Sequence, residues 1–263
     1  GQMQEGYYFA MEYVHGLSLH EFNHFHHNVI KERIPSELAV FIASRIARGL
    51  AYAHSRSDSV GRPLNIVHRD VCPNNIMITT EGLPKLTDFG IALISAGMIE
   101  SRQGLVGKLT YMSPEQAQRQ KVDFRADIFS LGAVLFEMLS NQRIRVSDDR
   151  AKAQEQAEQG TVDWDKLPDG VGEDVREILH RCLDENAGLR YEATSKLAKD
   201  LEYLIYSEGY GPTIQTLEEY LRKQFPYLYR ITNSVMAKSS QFNMKEMTDT
   251  QDMTATIILD DDD

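Results

Sequence analysis

His68-Arg69-Asp70-Val71-Cys72-Pro73-Asn74-Asn75, with Asp88-Phe89-Gly90 beginning thirteen residues beyond Asn75, is the stretch on which the reading of this chain turns. Asn75 stands five residues after Asp70. Any one of these polar residues alone says little, since Asp and Asn favour turns. Their joint spacing, with Ser113-Pro114-Glu115 further on, makes an ordinary polar loop a poor account. Short apolar runs enclose the stretch: Ile66-Val67 before it, Ile76-Met77-Ile78 after it, and Lys85-Leu86-Thr87 leading into Asp88. Glu81-Gly82 marks a turn between the last two. Short strands therefore frame a polar, chemistry-bearing loop.

Upstream, Tyr7-Tyr8-Phe9-Ala10-Met11-Glu12-Tyr13-Val14 reads as a strand that ends in a turn at His15-Gly16. Pro35-Ser36-Glu37 opens a helix with Ser36 as its N-cap. Leu38, Phe41, Ile42, Ile46 and Leu50 give that helix one apolar face through about His54. Residues 55–63 read as a loop, and residues 91–112, with Gly97, Gly104 and Gly107, as a long one. Long ordered loops are uncommon unless functional. Asp127 to Leu139 is nearly all apolar and predicts a buried helix. Further helices are predicted over 148–159, 173–183, 194–206 and Ile214–Gln224. From Asn233 the chain is rich in Ser, Thr, Met and Asp, and reads as a flexible tail. The fold class is α+β, mainly helical, with short β-hairpins around the polar loop.

Of 263 residues, 42% are hydrophobic and 25% charged, an ordinary globular balance. The net charge of −11 argues against a nucleic-acid binder and against docking on an anionic membrane by charge. Part of that charge lies in Asp260 to Asp263. Cys72 and Cys182 lie far apart without C-x-x-C spacing, so neither a disulfide framework nor a zinc site is indicated. A reducing cytoplasm fits. No apolar run is long enough for a membrane helix, and no secretory leader opens the sequence. The first residue is Gly rather than Met, which points to a true N-terminus elsewhere.

From about Tyr7 to Leu204 the chain resembles the hinge and C-terminal lobe of a eukaryotic-like, bacterial-type Ser/Thr protein kinase. The likeness rests on H-R-D-x-x-x-x-N, D-F-G and the S-P-E-Q of Ser113 to Gln116. It implies a division into residues 1–16 (last N-lobe strand and hinge), 17–225 (C-terminal lobe) and 226–263 (tail). By the same resemblance Asp70 would take the proton of the substrate hydroxyl, and Asn75 and Asp88 would hold magnesium on ATP. Met11 and the backbones of Glu12 and Val14 would meet the adenine, with Met77 packing against its face. His68, Phe89 and Gly90 would be structural props of the two loops. Arg69 would await a phosphate on the activation loop, with Ser95 and Ser101 as candidate phosphosites. Glu115 would pair with Arg190, and Asp127 would accept backbone N–H groups from the His68-Arg69 turn.

Three departures from the family pattern stand out. A Lys is usual two residues after the catalytic Asp, where Cys72 stands here. A Thr is usual after Gly107, where Lys108 stands, a candidate for the charge missing at Cys72. No glycine-rich loop or anchoring Lys precedes the motifs, so the N-terminal lobe is expected to be absent from this chain. Two functions follow. The first is an enzyme that transfers the γ-phosphoryl of Mg-ATP to protein Ser or Thr hydroxyls. The alternative is a non-catalytic pseudokinase or scaffold formed by a lone C-lobe. Cys72 reads as a redox-sensitive thiol or a plain small residue. His20, His24, His26 and His27 invite a metal reading, but no carboxylate or Cys is well placed beside them. A solvated surface helix is the plainer account.

Overall fold

The computed structural model describes residues 2–3, 6–7, 12–89 and 107–229. Two short antiparallel strands open it, β1 (Gln2–Met3) and β2 (Gly6–Tyr7). The rest of the expected Tyr7–Val14 strand, Met11 included, falls partly outside the described residues. Next come β3 (Gly16–Ser18) and α1 (Leu19–Phe25), which runs on into a π-helical turn over His26–Ile30. Ser18 caps α1 reciprocally with Glu21, a capping box.

The histidines here divide. His20, His24 and His27 face solvent, while His26 is buried. His26 lies parallel to Tyr220 at 5.8 Å, donates from Nδ1 to the Glu32 carbonyl (3.3 Å), and accepts the Tyr220 hydroxyl at Nε2 (3.1 Å). Burial holds its pKa below the usual value. Among the described residues, no three His, Cys, Asp or Glu converge into a metal cluster.

α2 spans Ser36–His54 and buries the predicted face, with Ala39, Ala43 and Ala47 added. Its N-cap is Pro35 rather than Ser36. The Pro35 carbonyl already accepts from Leu38 (2.9 Å) and Ala39 (3.0 Å), so Ser36 is the first helical residue. Strands β4 (Ile76–Thr79) and β5 (Pro84–Leu86) complete an antiparallel sheet in the order β3-β4-β5, with Met77 opposite both Ser18 and Lys85.

Then follow α3 (Pro114–Ala117), α4 (Arg125–Ser140), α5 (Arg150–Glu158), α6 (Glu173–Cys182), α7 (Thr194–Tyr206) and α8 (Ile214–Gln224). Fourteen of the sixteen residues of α4 are buried, which makes it the central pillar instead of an amphipathic surface helix. α2 packs against α4 and α7, and α6 packs against α4. A Cβ at Gly132 would stand 2.6 Å from Cβ of Cys182, so the α4–α6 approach depends on glycine there. Chain contacts divide the molecule into Gly1–Leu221 and Arg222–Asp263. In the second unit the Arg222 guanidinium lies 4.1 Å from the Tyr229 ring centre. No described helix is long and apolar enough to cross a membrane.

Candidate active site

The polar stretch runs between the end of α2 and β4, and its backbone is not relaxed. Arg69 (φ 69°) and Asp88 (φ 64°) both occupy the left-handed region. Residues other than glycine rarely do so, and the surroundings must impose it.

The imposing group at Arg69 is Asp127, in the first turn of α4. Its carboxylate is fully buried and takes N–H bonds from His68 (2.7 Å) and Arg69 (2.7 Å). It also accepts from Nε2 of His54 at 2.8 Å. The other ring nitrogen of His54 lies 2.8 Å from the Thr194 hydroxyl, so the start of α7 joins the same chain of bonds. On the opposite side, the Gln116 side chain donates to the Arg69 carbonyl (2.9 Å). Gln116 is itself held by the Ser113 hydroxyl at 3.0 Å.

His68 joins the two loops. Nε2 donates to the Thr87 carbonyl (2.8 Å) and Nδ1 accepts the Asp70 N–H (3.3 Å). The Phe89 ring meets the imidazole edge-on, 4.6 Å between centroids. Asn75 donates from its amide to the Asp70 carbonyl (2.7 Å). Its own carbonyl accepts the Thr87 N–H at 2.8 Å and the Thr87 hydroxyl at 3.2 Å. Asp70, Asn75 and Asp88 therefore sit on one frame, with Thr87 as the link next to Asp88.

The Asp70 carboxylate is 21% exposed, and the Lys108 ammonium lies 3.2 Å from it. Cys72 is buried beside them. Burial first, and then the negative charge of Asp70, push its thiol up to about 11. Such a thiol keeps its proton at neutral pH, which favours the plain small residue over the redox-sensitive one.

On the sheet side, Met77 and Val14 are half-buried. The Glu12 side chain is exposed and bonded to Lys85 at 2.6 Å. Met11, Gly90, Ser95 and Ser101 lie outside the described residues.

Below the loop, Arg190 grips Glu115 with two parallel bonds, 2.8 and 3.0 Å. The guanidinium also donates to the carbonyls of Asp184 (2.8 Å), Arg125 (3.0 Å) and Glu185 (3.3 Å). It lies 4.9 Å from the Phe129 ring centre. Burial alone would push the Glu115 carboxyl up, but the bonds and charge of Arg190 outweigh it and hold the pKa below the usual value.

Sequence reasoning missed a second bolt. Arg145, buried, donates to the Leu109 carbonyl from Nε (3.0 Å) and Nη2 (2.9 Å), and to the carbonyls of Met112 and Gln156. Burial lowers its pKa to about 10, so it stays charged at neutral pH. It pins residues 109–112 to the α4–α5 loop, beside a cleft of about 730 Å³ lined by Gly107, Thr110, Val146 and Asp149. Nothing local in Asn141-Gln142-Arg143-Ile144-Arg145 announces this, because the acceptors come from a different segment.

The family model described as "Protein kinase domain" matches residues 2–201. The chain is 32% identical over 223 residues to the tyrosine-protein kinase MasK of Myxococcus xanthus, covering 83% of this chain and 34% of that protein. It is 32% identical over 194 residues to the serine/threonine-protein kinase PknA of Corynebacterium glutamicum, 73% of this chain and 38% of that one. With the serine/threonine-protein kinase PknB of Mycobacterium tuberculosis it shares 29% identity over 198 residues, 74% of this chain and 30% of that one. The chain thus spans about a third of the length of these relatives.

Proposed function

The chain belongs to the protein kinase domain family, and on that premise we propose that it carries the catalytic half of a serine/threonine protein kinase. The substrates would be Mg-ATP and a protein hydroxyl. The observation that carries this is the shared frame of Asp70, Asn75 and Asp88, joined through Thr87 and His68, with Asp127 holding the His68-Arg69 turn just before Asp70. An ordinary polar loop has no reason to bring two N–H groups onto a fully buried carboxylate, as His68 and Arg69 do on Asp127.

The donor set fits magnesium. The Asn75 amide nitrogen is spent on the Asp70 carbonyl, which leaves its oxygen to face away, and Asp88 contributes a carboxylate. Magnesium takes hard oxygen donors, commonly one or two from protein and the rest from phosphates and water. When bound, the ion supplies charge neutralisation on the phosphates. Asp70 accepts the hydroxyl proton as the oxygen attacks. Met11, Met77 and the backbones of Glu12 and Val14 bound the adenine. Arg69 pairs with a phosphate on Ser95 or Ser101. The peptide lies along the cleft beside residues 107–112, a segment that Arg145 keeps in place. Residues 1–16 are the hinge end, 17–225 the lobe and 226–263 a tail, in a protein that works in the cytoplasm. The glycine-rich loop and lysine, missing from these 263 residues, come from an upstream lobe. Two relatives named as serine/threonine kinases support that hydroxyl class over the tyrosine class of MasK's name.

The test uses the full-length protein that contains this chain, with radiolabelled ATP, a protein acceptor and phosphoamino-acid analysis. Asp70→Asn is expected to lower turnover by roughly 10² to 10⁴, and Asp88→Ala to abolish magnesium-dependent transfer. Label is expected on Ser or Thr. Wild-type turnover in Asp88→Ala or in Asp70→Asn refutes the assignment, and no turnover in the wild-type full-length protein moves the chain to the scaffold alternative.

A further inference from the structure

We propose that Lys108 is a catalytic residue of this kinase, a cation that leaves Asp70 to bind the phosphoryl group in flight; the proposal rests on the function given above. Site charge is the starting point. Asp70 and Asp88 are carboxylates, the nucleotide adds further negative charge, and Cys72 adds no positive charge. In transfer the charge is spread over the three equatorial phosphoryl oxygens, and preorganised cations aimed at them lower the barrier. Lys108 is the ammonium that meets Asp70, at 3.2 Å.

Its reach follows from distances. The attacking oxygen lies about 3 Å from the carboxylate that takes its proton, and about 3–3.5 Å from phosphorus in a near-attack geometry. An ammonium already on that carboxylate is therefore within reach of a phosphoryl oxygen by rotation of its four-carbon stem. The side chain is 35% exposed, so its tip lies at the open face of the site, and a lysine stem has four rotatable carbons. Its anchor is not mobile. The Lys108 carbonyl accepts the Tyr111 N–H at 3.1 Å, and Arg145 clamps the next residue, Leu109, by its carbonyl. A fixed base with a flexible cationic tip is how a lysine serves as a point charge for phosphate.

The step balances without any further reactant. The hydroxyl oxygen forms a bond to the γ-phosphorus, and the bond from that phosphorus to the bridging oxygen breaks. The electron pair departs with ADP. The hydroxyl proton passes to the Asp70 carboxylate. Lys108 keeps its protons and donates hydrogen bonds only, first to Asp70 and then to a phosphoryl oxygen.

The test is Lys108→Cys in the full-length protein, assayed before and after aminoethylation with 2-bromoethylamine, which rebuilds a lysine-length ammonium on sulfur. The labelling is selective within this chain, because its two native cysteines are buried with thiols pushed up to about 11 and about 12. Lys108→Cys is expected to lower kcat by roughly 10² to 10³, with KM for ATP changed less than about threefold. Aminoethylation is expected to restore kcat to within about threefold of wild type. Folding cancels from this comparison, since one polypeptide is measured twice. Should Lys108→Cys not fold, Lys108→Arg carries the test, with a tenth or more of wild-type kcat expected against the loss in Lys108→Met. Unchanged kcat in Lys108→Cys overturns the proposal. So does a fully modified protein, verified by mass, that stays at the unmodified rate. If Asp70→Asn is inactive while Lys108→Cys is normal, only the role of Lys108 falls. If Asp70→Asn is normal, the function itself falls.

Discussion

Asp127 and Asp70 are the same residue type on the two sides of one loop, yet they are spent differently. At the base, Asp127 is fully buried and each oxygen is committed to donors: two backbone N–H groups and the imidazole of His54. At the rim, Asp70 is 21% exposed and meets a flexible ammonium. Burial and satisfaction turn a carboxylate into a fastener, while exposure and a movable partner leave it able to take a proton. The base belongs to the rigid core of α4, and the rim to the chemistry carried on loops.

The largest expected effect is at the base. Asp127→Ala strips acceptors from three buried or half-buried donors, each costing about 1–3 kcal/mol when orphaned. A loss on the order of 3–6 kcal/mol in urea unfolding is expected, with turnover falling as the Arg69 turn relaxes. Asp127→Asn, which keeps one acceptor oxygen, should fall between. Stability within about 1 kcal/mol of wild type in Asp127→Ala would erase the contrast with Asp70.

Next is the Glu115–Arg190 pair, a second fastener. Removing one partner of a buried pair leaves a buried charge, so Arg190→Ala should cost about 3–5 kcal/mol. Its pH dependence has a definite sign. The Glu115 pKa is held below its ordinary 4.5 in the folded protein. Its contribution is therefore fully present above pH 4.5 and lost as pH falls through the lower folded value. An acid titration of the unfolding midpoint should show a component that disappears in Glu115→Gln. A midpoint that rises on acidification down to that range would contradict it.

Much of this is legible in the amino-acid order alone. The near-continuous apolar run of α4 announces a buried helix, and the spacing of Asp70, Asn75 and Asp88 announces the loop. What escapes is long-range or stereochemical. His54 looks like the last residue of an amphipathic helix, but its ring is claimed by Asp127 and Thr194, 73 and 140 residues away. Arg145 reads as one more surface arginine, and its acceptor Leu109 lies 36 residues upstream. Ser36 carries the usual N-cap chemistry, but the Pro35 carbonyl opens the helix one residue earlier. His26 shares a His-rich surface helix with exposed neighbours. It is inside because it stands seven residues after Leu19, on the helical face that Leu19, Phe22 and Asn23 bury, where its ring meets Tyr220; a polar residue on that stripe hides the pattern.

A smaller effect is expected at the β4–β5 turn. Gly82 has φ +77°, and a Cβ there would stand 2.1 Å from the Ile214 carbonyl and 2.6 Å from the Glu218 nitrogen. Those are backbone atoms of α8 and cannot swing aside. Gly82→Ala should cost about 2–3 kcal/mol, of which about 1–2 is the left-handed penalty. The remainder is displacement of α8, seen as loss of hydrogen-exchange protection there. A cost near 1 kcal/mol with α8 unaffected would mean the helix yields freely.

The smallest effect sharpens the comparison most. Glu202 is 22% exposed, nearly the same as Asp70, and it takes bonds from Arg45 (2.6 Å) and from Arg48. Ion pairs this accessible are worth about 0.2–1 kcal/mol each, because water and salt compete for them. Glu202→Gln should lower stability by no more than about 1–2 kcal/mol and leave turnover unchanged. Asp70→Asn should shift stability by less than about 1 kcal/mol, while cutting turnover by the roughly 10² to 10⁴ expected for a lost base. Two carboxylates of equal exposure would then differ in rate and hardly at all in stability. Exposure makes a carboxylate cheap to replace structurally, and under the proposed function only a place beside the reacting oxygen would make it costly to lose. Were Glu202→Gln to slow the enzyme as much as Asp70→Asn, accessibility alone would explain the rim, and Asp70 would lose its claim to the proton.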